Sequence, residues 1–360
     1  MSEQPVHYYI NGIGILSPQK TFDNNSFLTE ITSYDQNVLR CITPEFKDYI
    51  NPIQLRRLNR MLRIGLTAAT ICMRDAKVQS PDGIITGTGY GFLDETAKFL
   101  RELLEQQEKQ LTPTYFMQST YNALAGLIAL SVKCMGYNNT YVSKGLAFEN
   151  VLDDAILRLR ENKDHNFLIG AFDEAAEVQY LASIRASHFK TEHIQNLDLF
   201  KTTTKGSIQG EGAAFFMLSG KASDTTWCIL RDMQFVYNPS NAEVVTESIT
   251  SFLAANNTTL QDIDLWIDGA SGDVEYDRIM NTLSETLFKE VYHVRFKHLC
   301  GESCTASSFA LWLGASILKH QQVPEILKVD KERDLSGLKS VLIVNQYMNK
   351  NFSFFLLKHI

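Results

Sequence analysis

Gly210-Glu211-Gly212-Ala213-Ala214-Phe215-Phe216-Met217-Leu218 reads as a turn feeding a core strand, and residues 219–226 after it are small and polar. The pair marks a seam near residue 220, with expected halves 1–220 and 221–360. Before the seam, strands are expected over 6–10, 84–86, from 141–142 and over 167–169, and helices over 55–76, 94–105, 122–133 and 148–160. In the first helix, Leu58, Met61, Leu62, Leu66, Ala69 and Met73 share one face. The third reads as buried, its Ala123, Ala125, Gly126 and Ala129 permitting close backbone approach. After the seam the pattern starts over: strand 228–230, helix 242–255, strand 265–267, helices 277–287 and 307–319, strands 341–344 and 353–357. Short strands alternating with longer helices imply a mainly parallel sheet covered on both faces. The expected fold class is α/β in two similar halves.

Composition narrows the function classes. The 360 residues are 44% hydrophobic and 21% charged, with 34 basic against 41 acidic side chains and a net charge of −7. A general nucleic-acid binder needs phosphate-neutralising cations in excess, so nucleic acid is not an expected partner. Six scattered cysteines do not make a disulfide framework, which suits a reducing compartment. Residues 1–11 lack a basic, then apolar, leader pattern, and the longest apolar runs are about half of the ~20 residues that span a bilayer. A cytoplasmic protein with no membrane span is expected.

Several motifs fall short. Gly87, Gly89 and Gly91 follow a strand, but Phe92 stands where a dinucleotide fingerprint requires glycine. No histidine has an i, i+4 partner and no Cys-x-x-Cys occurs, so no metal site is expected. Cys300 and Cys304 beside His298 read first as buried thiols. Arg56, Arg57, Arg60 and Arg63 form a basic stripe, either a solvated face or a docking surface for an acidic or phosphate-bearing partner.

Thr112-Pro113-Thr114-Tyr115-Phe116-Met117-Gln118-Ser119-Thr120, the helix through Gly126 and Gly136-Tyr137-Asn138-Asn139-Thr140 together resemble the β-ketoacyl synthases. So do Phe148 with Asp154-Ala155, Ile169-Gly170-Ala171-Phe172-Asp173-Glu174, Gly210-Glu211-Gly212-Ala213, Asp262-Ile263-Asp264-Leu265-Trp266-Ile267 and the segment from Lys297 to Gly301. The resemblance covers most of the chain. It implies a thiolase-like, five-layered αβαβα fold of two related halves, usually dimeric. Its members condense an acyl group with a malonyl unit presented on the phosphopantetheine of an acyl carrier protein, with no bound cofactor.

That chemistry needs a cysteine thiolate for thioester exchange and two histidines that donate to the developing oxyanion, each such donor being worth ~3–4 kcal/mol. Matching by position, Gly145 stands for the cysteine within Val142-Ser143-Lys144-Gly145-Leu146-Ala147, and Gly269 for the first histidine. In Lys297-His298-Leu299-Cys300-Gly301-Glu302 the lysine and glycine are retained, and Glu302 replaces the second histidine. The family's C-terminal glycine-rich loop reads Tyr347-Met348-Asn349-Lys350-Asn351-Phe352. Nucleophile and donors act as one unit, so ordinary condensing activity is not expected.

The resemblance offers a precedent in the chain-length factor, a pseudoenzyme subunit paired with an active ketosynthase in fatty-acid or polyketide assembly, as in aryl polyene and flexirubin systems. Phe116, Met117, Gln118 and Tyr121 would then border the acyl tunnel at the dimer interface, or serve as ordinary interface core, with the Arg56–Arg63 stripe docking the carrier. A homodimer remains open beside the heterodimer. A second reading keeps an enzyme, a divergent ketosynthase or thioester-processing acyltransferase with its site moved to His298, Cys300, Glu302 and Cys304, the last activated at a helix start. A third is a non-catalytic scaffold binding a ketosynthase or carrier protein.

Overall fold

Near-continuous apolar runs along the central strands bury both of their faces, and a computed structural model, describing residues 7–329 and 337–360, shows what covers each face. The long strands are β1 (Tyr8–Leu16), β2 (Gly83–Thr88), β3 (Tyr137–Val142), β4 (Asn166–Asp173), β5 (Gly212–Ser219), β6 (Cys228–Tyr237), β7 (Leu265–Gly269), β8 (His293–Arg295), β9 (Ser340–Tyr347) and β10 (Asn351–Lys358). They hydrogen-bond in the order β8-β7-β9-β10-β6-β1-β5-β4-β2-β3. Split at the β1–β6 contact, the order is two copies of one pattern: β3-β2-β4-β5-β1 and β8-β7-β9-β10-β6. Directions match as well. In each set the first three strands are parallel and the last two antiparallel to their neighbours.

The helices used below are α1 (Arg60–Asp75), α2 (Leu93–Glu105), α3 (Pro113–Ser119), α4 (Ala123–Val132), α5 (Ala147–Glu161), α6 (Glu177–Arg185), α7 (Ala242–Ala255), α8 (Arg278–Glu285) and α9 (Ala306–His320). Phe167, Ile169 and Ala171 of β4 join Val341 and Ile343 of β9 in one core with α5 and α9, while Leu168 and Phe172 turn to a second core with α1 and α4. Leu342 and Val344 of β9 enter a third core with α7 and α8. The cores therefore lie between layers ordered helix, sheet, helix, sheet, helix. This is the expected thiolase-like arrangement of two related halves. The α9 residues from Ala306 to Leu318 are all buried, as an inner-layer helix requires.

Several boundaries differ from expectation. The helix expected over 55–76 begins at Arg60, because the Asn59 side chain accepts a hydrogen bond from Leu62 N at 2.8 Å and caps it. Arg56 and Arg57 thus lie in the turn before α1 and not on its face. The strand expected from residue 6 begins at Tyr8, and Val6 lies outside the described residues. The small-residue helix α4 is not buried all round: Leu130 is 81% exposed, and a Cβ on Gly126 would meet nothing within 4 Å. Close approach happens instead at Gly65 of α1, where a Cβ would lie 2.4 Å from Leu124 Cδ2. Among the described residues no helix is long and apolar enough to cross a membrane.

Candidate functional site

Gly145 sits between β3 and α5 at φ +71°, in the left-handed region that glycine adopts without strain. A Cβ here would fall 2.5 Å from Tyr347 Cδ1 and 2.5 Å from Asn351 Nδ2. The β9–β10 turn therefore occupies the space that a side chain at 145 would need. Asn351 Nδ2 donates to Lys144 O at 3.2 Å and fixes that turn against the loop. Cys304 Sγ donates to Tyr347 Oη at 3.3 Å, below the same ring.

Gly269 ends β7, and a Cβ on it would lie 2.6 Å from Asn345 Cα and 2.8 Å from Asn345 Oδ1. The turn after it is held by Asp277, whose carboxylate accepts from Ser271 N at 2.7 Å, Ser271 Oγ at 2.8 Å and Gly272 N at 2.7 Å. Lys297 Nζ meets Glu302 Oε2 at 2.8 Å and donates to Gln346 O at 2.7 Å, with the lysine fully buried. Burial pushes the Glu302 carboxyl up, and Lys297 pulls it partly back. Asn345, Gln346 and Tyr347, consecutive at the end of β9, thus contact Gly269, Lys297 and Gly145 in turn. The retained lysine is committed to a carboxylate and a carbonyl. No side-chain nucleophile stands at 145, and Glu302 presents a carboxylate paired with Lys297.

His298, Cys300 and Cys304 do not form a cluster. The His298 ring turns to Ile326 O, at 3.2 Å from Nε2, and burial lowers its pKa to about 4. Cys300 Sγ donates to Gly301 O at 3.1 Å in the central core, whereas Cys304 faces Tyr347. A lowered thiol pKa was expected for Cys304 near the start of α9. Burial dominates and raises it, because a thiolate without water is costly.

The arginine stripe also divides. Arg60 pairs with Glu211 Oε1, whose other oxygen binds Arg40 Nη1 at 3.0 Å; the Glu211 side chain is fully buried. Arg60 is therefore tied to a buried carboxylate while about half of its side chain, 47%, stays exposed. Arg63 Nε donates to Leu58 O at 2.8 Å, leaving Arg56 and Arg57 exposed. Gln118 accepts at Oε1 from Asn59 N at 2.9 Å and donates from Nε2 to Arg57 O, tying α3 to the turn before α1. Phe116, Met117 and Tyr121 are 56%, 68% and 51% exposed. Beside them an open groove of ≈ 1240 Å³ runs along β3, lined by Tyr90, Tyr121, Asn139 and Val142 among others.

Sequence reasoning missed a second pocket next to Glu302 and Cys304, walled by Asp173, Glu174, Gln209 and a His188–Tyr276 pair whose Nδ1 and Oη lie 2.9 Å apart. Asp173 and Glu174 carried a signal as part of the glycine-containing turn of β4, and Gly210, Glu302, Cys304, Tyr347 and Met348 of its lining stood in other motifs, but nothing in the sequence brought them together with His188, Gln209 and Tyr276.

Comparison with known proteins adds the following. The family described as "Beta-ketoacyl synthase, N-terminal domain" matches residues 18–223. No curated protein matches the sequence. A solved structure described as "The ishigamide ketosynthase/chain length factor" superposes with a TM-score of 0.82 at 14% identity, over 99% of this chain and 100% of that one. A type II polyketide acyl-carrier protein in complex with its ketosynthase bound to the hexaketide gives 0.78 at 12% identity, over 99% and 100%. A β-ketoacyl synthase from Burkholderia phymatum gives 0.74 at 13%, over 98% and 99%. At these identities the likeness is one of fold.

Proposed function

Because the chain belongs to the β-ketoacyl synthase family, we propose that it is a non-condensing subunit of the chain-length-factor type. It pairs with an active ketosynthase and works on chains carried by the phosphopantetheine of an acyl carrier protein, in a polyketide pathway of the aryl polyene or flexirubin kind. The observation that carries this reading is the Tyr347 ring lying where a side chain at Gly145 would begin. Loss of the nucleophile is thereby matched by closure of its space, and Glu302 and Gly269 remove the two donors.

The partner face supports the same reading. Phe116, Met117 and Tyr121 are each more than half exposed, and Tyr121 lines the groove along a six-residue edge strand, a combination that monomeric proteins avoid. Covered by a ketosynthase, these side chains would border its acyl tunnel and set its depth. Arg56 and Arg57 remain as the cations for carrier docking.

Co-expression with candidate ketosynthases tests the role. Phe116→Ala and Met117→Ala are expected to lengthen the product by mass spectrometry, since a bulky floor resists overfilling by ~1–3 kcal/mol. Unchanged product length in both variants would reject the chain-length role. The isolated chain, incubated with an acyl thioester, should gain no adduct. An acyl group on Cys304 would instead support a relocated enzyme site.

A further inference from the structure

The pocket beside Glu302 opens to solvent at its mouth, and its enclosed part has room for a group of about the size of one water, such as an ammonium head. Its wall holds three carboxyl groups, Asp173, Glu174 and Glu302, together with aromatic rings that include Phe189 and Tyr276, and no lysine or arginine. Glu302 is neutralised from behind by Lys297. The other two carboxyls have only neutral donors. Asp173 Oδ1 accepts from Thr88 Oγ1 at 3.0 Å and Gly89 N at 2.8 Å, and Glu174 Oε1 accepts from Asp94 N at 2.7 Å. Burial pushes Asp173 up to about 6 and Glu174 to about 7, with Asp94, Glu211 and Glu95 adding to the rise at Glu174. A cation beside them would relieve both.

An independent observation points the same way. Gln209 lines the pocket at 2% exposure; its Nε2 donates to Gln179 Oε1 at 3.3 Å, while its own Oε1 has no partner. A buried acceptor left unpaired is costly, and a bound donor would satisfy it. His188 brings no competing charge, since burial holds its pKa below the ordinary value; Lys144 and Lys350, which add to that effect, lie outside the lining. Carboxylates, an orphan carbonyl and aromatic rings with no cation in the lining, and only Arg60 acting on Glu174 from outside it, are the surroundings that recognise an ammonium group.

We propose that this pocket binds a small primary amine in its ammonium form, with Asp173 and Glu174 supplying the charge and the Gln209 carbonyl an acceptor. The inference stands on this chain's own pocket and goes beyond the partner role. A pocket of acceptors selects a donor, where a condensing site would offer donors to an oxyanion.

The probe is n-butylamine, titrated calorimetrically into the full chain at about pH 8, where an alkylamine remains charged. Butanol and butyrate of the same length serve as neutral and anionic comparisons. The amine is expected to bind at least ~10-fold more tightly than either, a difference of ~1.4 kcal/mol. Glu174→Gln and Gln209→Leu should each weaken it severalfold, with thermal melting checking that both variants fold. Repeated near pH 7, where Glu174 is about half protonated, amine binding to the unsubstituted chain should also release protons, seen as a dependence of the heat on buffer ionisation enthalpy. The proposal is overturned if the amine does not bind, if butanol binds equally well, or if neither folded variant changes the affinity. None of these outcomes touches the product-length test, so the two readings fail separately.

Discussion

Glu149, in the first turn of α5, is a carboxyl group with no exposed surface, and neither of its oxygens makes a well-directed hydrogen bond. Burial pushes its pKa from an ordinary 4.5 to about 6, while the Ser353 and Ser307 hydroxyls and Lys297 pull only partly back. The folded chain therefore holds this proton more tightly than the unfolded chain does. Its favourable contribution is complete below about pH 4.5 and is lost as the pH rises through about 6, a difference of ~2 kcal/mol. Glu149→Gln keeps the shape and removes the charge. It should stabilise the protein by up to ~2 kcal/mol at about pH 8 and make little difference at about pH 4, read from urea unfolding midpoints. A gap independent of pH would show that Glu149 does not titrate in the folded protein.

At the level of elements, caps and pairing decide what periodicity cannot. Asn59 starts α1 by accepting from Leu62 N, and Gln118 pins the same residue's backbone from α3. Asn59→Ala should cost ~1 kcal/mol of stability in chemical unfolding, the usual worth of an N-cap. No loss would mean that the Gln118 contact alone sets the helix start. The apolar pattern over residues 55–76 ran through this boundary because Leu55 and Leu58 stay in phase with the helix that follows. The strand expected over 228–230 stopped early for the opposite reason. Arg231, Asp232 and Gln234 are polar and half-buried, yet β6 pairs with β10 from Ile229 to Tyr237. Pairing partners distant in sequence are invisible to local pattern. The same limit applies to the site. Gly145, Gly269 and Glu302 are singled out in the sequence by motif position alone, and nothing local shows that the β9–β10 turn brings Tyr347 and Asn351 against Gly145. Likewise Arg60 could not be separated from Arg56 and Arg57 until Glu211 was seen beneath it.

Over the whole molecule, two sets of strands with one topology end in edges of unequal character. β8 has three residues, its Arg295 is paired with Asp268 at 2.7 Å, and Val294 bridges to Lys328 on its outer side. Such an edge is short, charged and covered, the usual protection against further pairing. β3 has six residues, and Val142 is 44% exposed at its end. Leu130 and Met135 nearby in the chain are 81% and 96% exposed, and Tyr121 lines the groove beside it. A net charge of −7 keeps chains apart in general, so association must be driven by this local apolar surface. The chain, alone or co-expressed with a ketosynthase, should therefore sediment as a dimer at micromolar concentration. Leu130→Glu with Met135→Glu should shift it to monomer while changing thermal stability little, because neither side chain is buried in the single chain. A monomer under every condition, with no complex formed on co-expression, would show that the β3 face is not an interface.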